Sequence, residues 1–172
     1  MHKTCRLLLF SLLLSVQTAA AEVPELHWQL LRTIPRLPNH FSQGLVYGGP
    51  QLFESTGRYG QSRLIAYDAA SLQMQKQHFL PADIFAEGLT YLDGKLYQSS
   101  WKSREIFVYD TKLTRLKTLQ IAGDSWGLTT DGQSLVMSDG TGALQFLDPA
   151  SGQQQRTLTV TDSQMADAPR SS

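Results

Sequence analysis

Gln43-Gly44-Leu45-Val46-Tyr47, Glu87-Gly88-Leu89-Thr90-Tyr91 and Trp126-Gly127-Leu128-Thr129-Thr130 open alike and differ at their first residue. Self-similarity at a fixed period is the signature of a repeat architecture and outranks any local secondary-structure assignment. Gly-Leu recurs because equivalent backbone positions need equivalent packing. The position ahead of it changes from an amide to a carboxylate to an indole, so it does not serve that shared packing.

A second marker closes each unit. Ile65-Ala66-Tyr67-Asp68, Phe107-Val108-Tyr109-Asp110 and Phe146-Leu147-Asp148 are apolar runs that end in Asp. The glycines at 44, 88 and 127 are spaced by 44 and 39 residues, and the aspartates by 42 and 38. Between the markers lie strand-like segments at 51–55, 95–99 and 134–138, each preceded by a turn glycine, Gly49, Gly94 or Gly132. Further segments follow at 74–80, 116–121 and 154–160. Four short strands per unit make a propeller blade. The predicted class is all-β, a β-propeller with about three four-stranded blades encoded. Each closing Asp is expected to accept from turn backbone, as Asx turns do. Propellers close with about four to eight blades, so three leave raw sheet faces and unpaired edges. The reading expects a chain cut short or one that self-associates through those edges. Residues 26–36 read as a leading strand.

The 172 residues suffice for one domain. Residues 1–21 read as a secretory signal peptide: Lys3 and Arg6, an apolar run over 7–16, then Ala19-Ala20-Ala21 as the cleavage site. An N-terminal anchor is the alternative. Cleavage after Ala21 would remove Cys5, the single cysteine, and leave an exported protein without thiols. The predicted location is therefore periplasmic or secreted, with a propeller domain over 22–162 and a polar tail over 163–172. Loss of the leader leaves 13 basic against 15 acidic residues, a net −2, scattered along the chain. That pattern argues against nucleic acid and anionic membrane surfaces as partners.

The innermost strand of a blade faces the central channel. Gln43, Glu87 and Trp126 would then stand near one mouth of it, with Phe41 and Trp101 as neighbours. A carboxylate among aromatic rings is partly desolvated, which raises its pKa toward the range of a general acid or base. The indoles can form an apolar wall or receive a cation. The plainer alternatives are a solvated Glu87, core tryptophans and a Gln43 that satisfies channel backbone. The stretch Glu54-Ser55-Thr56-Gly57-Arg58-Tyr59-Gly60 reads as a blade turn with Glu54 bonded locally. The mature chain's His27, His40 and His78 lack metal-ligand spacing, and no nucleophile elbow or P-loop is present.

Six motifs in order carry a resemblance: Phe41-Ser42-Gln43-Gly44-Leu45; Glu54-Ser55-Thr56-Gly57-Arg58-Tyr59-Gly60-Gln61-Ser62; Phe85-Ala86-Glu87-Gly88-Leu89-Thr90; Gln98-Ser99-Ser100-Trp101-Lys102; Trp126-Gly127-Leu128-Thr129-Thr130-Asp131-Gly132; and Ser138-Asp139-Gly140. Together, over residues 36–162, they resemble the plant and bacterial type of glutaminyl-peptide cyclotransferases. The resemblance implies a propeller of the five-bladed type that converts N-terminal glutaminyl residues of peptides or proteins to pyroglutamyl and releases ammonia. It implies Glu87 as the acid–base group, substrate contacts from Phe41, Gln43, Trp101 and Trp126, and neither metal nor organic cofactor. Asp124-Ser125 stands where the family has Glu-Gly. The blades that supply an asparagine, a further tryptophan and a lysine are not encoded, so the resemblance implies a C-terminally truncated form with impaired activity. The non-enzymatic alternative is a secreted propeller-fragment binding module. A dehydrogenase on a propeller finds no cofactor residues here.

Overall fold

The computed structural model describes residues 25–30, 33 and 39–161. The predicted signal peptide and polar tail lie outside the described residues. Of the leading segment expected over 26–36, the described residues 26–30 and 33 form no strand, and the rest lies outside them.

Among the described residues there are twelve strands and no helix. The first sheet holds β1 (Ser42–Gly48), β2 (Gln51–Thr56), β3 (Arg63–Asp68) and β4 (Met74–Phe79). The second holds β5 (Phe85–Leu92), β6 (Lys95–Trp101), β7 (Glu105–Asp110) and β8 (Arg115–Gln120). The third holds β9 (Leu128–Thr130), β10 (Leu135–Ser138), β11 (Ala143–Leu147) and β12 (Gln154–Thr159). Each sheet is an antiparallel meander in chain order. The first strand of each is the inner one, and β5 lies against both β1 and β9. These are the three four-stranded blades that the repeats predict.

The Gly-Leu repeat is the inter-blade joint. A Cβ on Gly44 would sit 2.6 Å from the Leu89 backbone nitrogen, and one on Gly88 would sit 2.3 Å from that of Leu128. Each glycine therefore lets the next blade's inner strand approach to a distance that a methyl group would forbid. The leucines that arrive there, Leu89 and Leu128, are buried, whereas Leu45 is 59% exposed.

Blade 2 is covered on both faces. Along β7, Ile106 and Val108 join the cluster against blade 3, which includes Leu128, Leu135 and Met137. Phe107 and Tyr109 join Phe53, Leu64 and Leu89 against blade 1. Alternate side chains thus enter two separate cores, so every residue from Ile106 to Tyr109 is buried. The outermost strands carry little of this, and β12 is exposed throughout.

The closing aspartates act as expected. Asp68 Oδ1 accepts from the backbone N–H of Ser71 at 2.8 Å, Asp110 Oδ1 from Thr114 at 2.7 Å, and Asp148 Oδ1 from Ser151 at 2.8 Å and Ala150 at 2.6 Å. These bonds hold all three carboxyls below the ordinary carboxylate range. The turn glycines Gly49, Gly94 and Gly132 have φ of +64°, +76° and +92°.

One reading is corrected. The turn read over residues 54–60 begins later: β2 runs through Thr56, the Gly57 N–H extends the ladder by donating to the Phe41 carbonyl at 2.8 Å, and the turn itself lies at 58–61, closed by the Gln61 N–H donating to the Arg58 carbonyl at 3.0 Å. Glu54 is buried, and its partners are distant in sequence: Ser42 Oγ donates to Oε1, and Tyr67 Oη donates to Oε2 at 2.7 Å.

Candidate functional site

The variable residue of each repeat stands at a break in strand register. Ser42 pairs with Thr56 and Gly44 with Ser55, so Gln43 is an extra residue in β1. Ala86 pairs with Ser100 and Leu89 with Gln98, so Glu87 and Gly88 together oppose Ser99. In blade 3 the Trp126 N–H donates to the Ser138 carbonyl at 2.8 Å, and the Ser138 N–H donates to the Gly127 carbonyl at 3.0 Å. Trp126 and Gly127 therefore share one partner ahead of β9, which begins only at Leu128. The same bulge recurs three times. A bulge re-aims the extra side chain out of the sheet's alternation, which is why bulges cluster beside active sites.

The three bulges converge. Gln43, Glu87 and Trp126 line one pocket of about 350 Å³ with Trp101 and Phe85. The volume falls in the ordinary range for a small-ligand site. Trp101 ends β6 directly opposite Phe85. Trp126 is half-exposed and lies over Gly140, where a Cβ would come within 2.7 Å of the indole. Phe41 is not among the lining residues but stands beside them, its ring edge-on to Phe85 at 6.3 Å.

Phe85 organises the aromatic wall. Besides Phe41, it meets Tyr59 at 5.5 Å and Trp101 at 5.7 Å, both edge-on, the arrangement that ring quadrupoles favour. A Cβ on Gly57 would lie 2.4 Å from the Phe85 ring, so glycine there gives the ring its seat. Two cations cap the wall: Arg58 over Phe41 at 5.0 Å and Lys102 over Trp101 at 4.2 Å.

Glu87 carries the electrostatics. Burial among these rings raises its carboxyl from 4.5 to about 7, and a hydrogen bond from the Gln43 side chain partly offsets the rise. A carboxyl poised there exists in both forms at neutral pH, as a group that must take and return a proton requires.

Sequence reasoning singled out Phe41, Gln43, Glu87, Trp101 and Trp126 but not Phe85 or the bulges. Two signals were present. Phenylalanine precedes the variable residue by two positions in the first two repeats, at 41 and 85, where the third has Asp124. Each bulge also opposes a serine near the end of the second strand: Ser55, Ser99 or Ser138.

A family model of glutamine cyclotransferases matches residues 4–168. The chain is 37% identical over 137 residues to a glutaminyl-peptide cyclotransferase of Arabidopsis thaliana, covering 78% of this chain and 41% of the relative. It superposes on the crystal structure of Myxococcus xanthus glutaminyl cyclase with a TM-score of 0.70 and 32% identity, over 77% of this chain and 56% of that one. The WD40 repeats of RRP9 match with a TM-score of 0.56 at 13% identity, over 72% of this chain and 40% of theirs, a likeness of fold alone. The chain thus spans about half the length of these relatives. On the match of nearly the whole sequence and the identity to both cyclases, the chain belongs to the glutamine cyclotransferase family.

Proposed function

We propose that the pocket binds the N-terminal glutaminyl residue of a peptide or protein and cyclises it to pyroglutamyl with release of ammonia. The observation that carries this reading is Glu87, a carboxyl at about 7 inside an aromatic pocket and hydrogen-bonded by Gln43. The amine and the carboxamide belong to one residue, so the reaction needs orientation more than encounter. An α-amine with a pKa of about 8 is partly neutral at the working pH. Its nitrogen attacks the side-chain carbonyl carbon, and the Glu87 carboxylate takes the proton that this nitrogen sheds. Glu87 returns the proton to the departing nitrogen as the carbon–nitrogen bond breaks. Ammonia leaves, the lactam remains, and Glu87 ends as a carboxylate. One carboxyl covers both transfers, which supports a metal-independent acyl transfer. Gln43 orients the carboxylate and the substrate, while Phe85, Trp101 and Trp126 wall the forming ring and Phe41 supports the wall edge-on to Phe85.

The proposal extends to location. The basic start, the apolar run over 7–16 and Ala19-Ala20-Ala21 support a leader cleaved after Ala21 and a periplasmic or secreted enzyme. Mass spectrometry of the mature N-terminus reads that directly: Glu22 is the expected first residue, and retention of Met1 overturns it.

Ammonia release from a glutaminyl peptide tests the activity. Glu87→Gln is expected to lower kcat by about 10²- to 10⁴-fold. Undiminished turnover in that variant would falsify the assignment of Glu87. Peptide binding without any ammonia release would favour the binding-module reading.

A further inference from the structure

Glu54 has no counterpart in the other blades. It directly precedes the bulge serine of blade 1, where blade 2 has Gln98 and blade 3 has Met137. Gln98 faces blade 1, and its Nε2 donates to Ser55 Oγ at 2.9 Å. Met137 packs in the apolar core against blade 2. Blade 1 alone carries an ionisable group at this position, and a buried carboxyl persists only where polar groups surround it.

Two of those polar groups come from the segment that leads to the pocket, one in β1 and one just ahead of it. Ser42 Oγ donates to Glu54 Oε1, and His40 Nδ1 stands 3.7 Å from Oε2, with both the histidine and the glutamate buried. Tyr67 Oη holds Oε2 from the far side at 2.7 Å. The contacts of residues 40–43 divide between two sides. His40 and Ser42 turn to Glu54, while Phe41 turns to Phe85 and Gln43 to Glu87. The residues on one face are thus gripped, and those on the other approach the substrate's side.

We propose that Glu54 is a positioning residue, a buried clamp that fixes residues 40–43 so that the bulge presents Gln43 to Glu87 and Phe41 to the aromatic wall. The assignment of Gln43 and Glu87 to the site rests on the function proposed above, but the clamp itself can be read without turnover. Gln43's hydrogen bond holds the Glu87 carboxyl down against the effect of burial. Loosening the clamp therefore raises the Glu87 midpoint.

The experiment titrates Glu87 in the full chain by carbon-13 carboxyl resonances, with Glu87→Gln identifying the signal. Glu54→Met, which installs the residue of blade 3, is expected to raise the midpoint as far as Gln43→Ala does. Ser42→Ala removes one tie, keeps Glu54 with Tyr67 and His40, and is expected to give a smaller shift in the same direction. Adding either substitution to Gln43→Ala should produce no shift beyond that of Gln43→Ala alone, because both routes break the same bond. Leu147→Ala is the control, a core deletion in blade 3 that lowers the melting temperature and leaves the midpoint alone. If Glu54→Met does not fold, Ser42→Ala and Tyr67→Phe decide the matter. An unmoved midpoint in folded Ser42→Ala and Tyr67→Phe, or shifts that add to that of Gln43→Ala, overturns the clamp. Where ammonia release is measurable, kcat/KM is expected to fall by about 10- to 100-fold in Glu54→Met. A shifted midpoint in a chain that releases no ammonia upholds the clamp and counts against the cyclase reading, so the two failures stay distinct.

Discussion

Residues 41–44 of blade 1 and 85–88 of blade 2 follow the same path: a phenylalanine, a small residue, the extra residue of the bulge, and a glycine on which the next blade rests. Their undersides differ. Ser42 is tied to the buried carboxylate of Glu54, whereas Ala86 is packed in the apolar core between blades 1 and 2 and its N–H donates to Ser62 Oγ at 3.1 Å. The bulge held by polar bonds presents an amide. The one held by apolar packing presents the acid, which the aromatic rings of the pocket partly shield from water. One repeat position carries an amide in blade 1 and an acid in blade 2, which the proposed function uses as the orienting group and the proton carrier.

Exchanging the two residues is the hardest test of that division. Gln43→Glu with Glu87→Gln keeps composition, charge and backbone. It moves the acid to the bulge held by polar bonds. Ammonia release is expected to fall by about 10²-fold or more and not to recover in the exchanged variant. Wild-type turnover there would mean that the two bulges are interchangeable.

The glycines compare the two joints. Gly88→Ala drives a methyl to 2.3 Å from the Leu128 nitrogen, and Gly44→Ala to 2.6 Å from the Leu89 nitrogen. Both obstacles are backbone, so relief needs one blade to shift against the next. Each substitution is expected to cost about 1–3 kcal/mol, the larger loss at Gly88. Urea denaturation reads the difference. Two neutral substitutions would show that the Gly-Leu repeat does not form the joint.

That joint was the most legible part of the molecule, because close packing between repeated units constrains the same residues each time. Gly-Leu, the closing aspartates and the turn glycines all answered to their sequence positions. Four of the pocket's five lining residues were named from the sequence, but their geometry was not legible. A bulge is a mismatch between two strands, and neither strand alone records it. Phe85 is half of a contact whose other members, Phe41, Tyr59 and Trp101, come from separate segments. Glu54 was misread for the same reason: its turn-rich surroundings in sequence suggested a local bond, and its partners sit across the sheet on Ser42 and Tyr67.

A second carboxylate tests the electrostatics of the pair. Gln43→Glu alone replaces a donor to Glu87 with a like charge at hydrogen-bonding distance. The two carboxyls then titrate as a pair, and the upper midpoint rises above about 7. The acid limb of the kcat/KM profile is expected to move to higher pH by one unit or so, the size of shift a close like charge produces. An unmoved limb would separate Gln43 from the proton chemistry.

The smallest expected effect is on stability, and it has a definite sign. The Glu87 carboxyl titrates at 4.5 in the unfolded chain and at about 7 in the fold. Between those values the folded state binds more protons than the unfolded one, so stability falls as pH rises through the window. The protonated group contributes in full below 4.5, and its contribution is gone above about 7. Glu87→Gln carries no such titration. The variant's melting temperature relative to wild type should therefore climb between pH 4.5 and 7 and level off above. The climb is modest, since Glu87 is only half-buried and solvent screens part of the cost. Blade 1 supplies the contrast. Gln43→Ala removes no titrating group, so its melting temperature relative to wild type should fall with pH, because the Glu87 carboxylate has lost the donor that favoured its charged form. Opposite slopes for two residues that share one hydrogen bond would mark which bulge holds the acid and which one holds it in place.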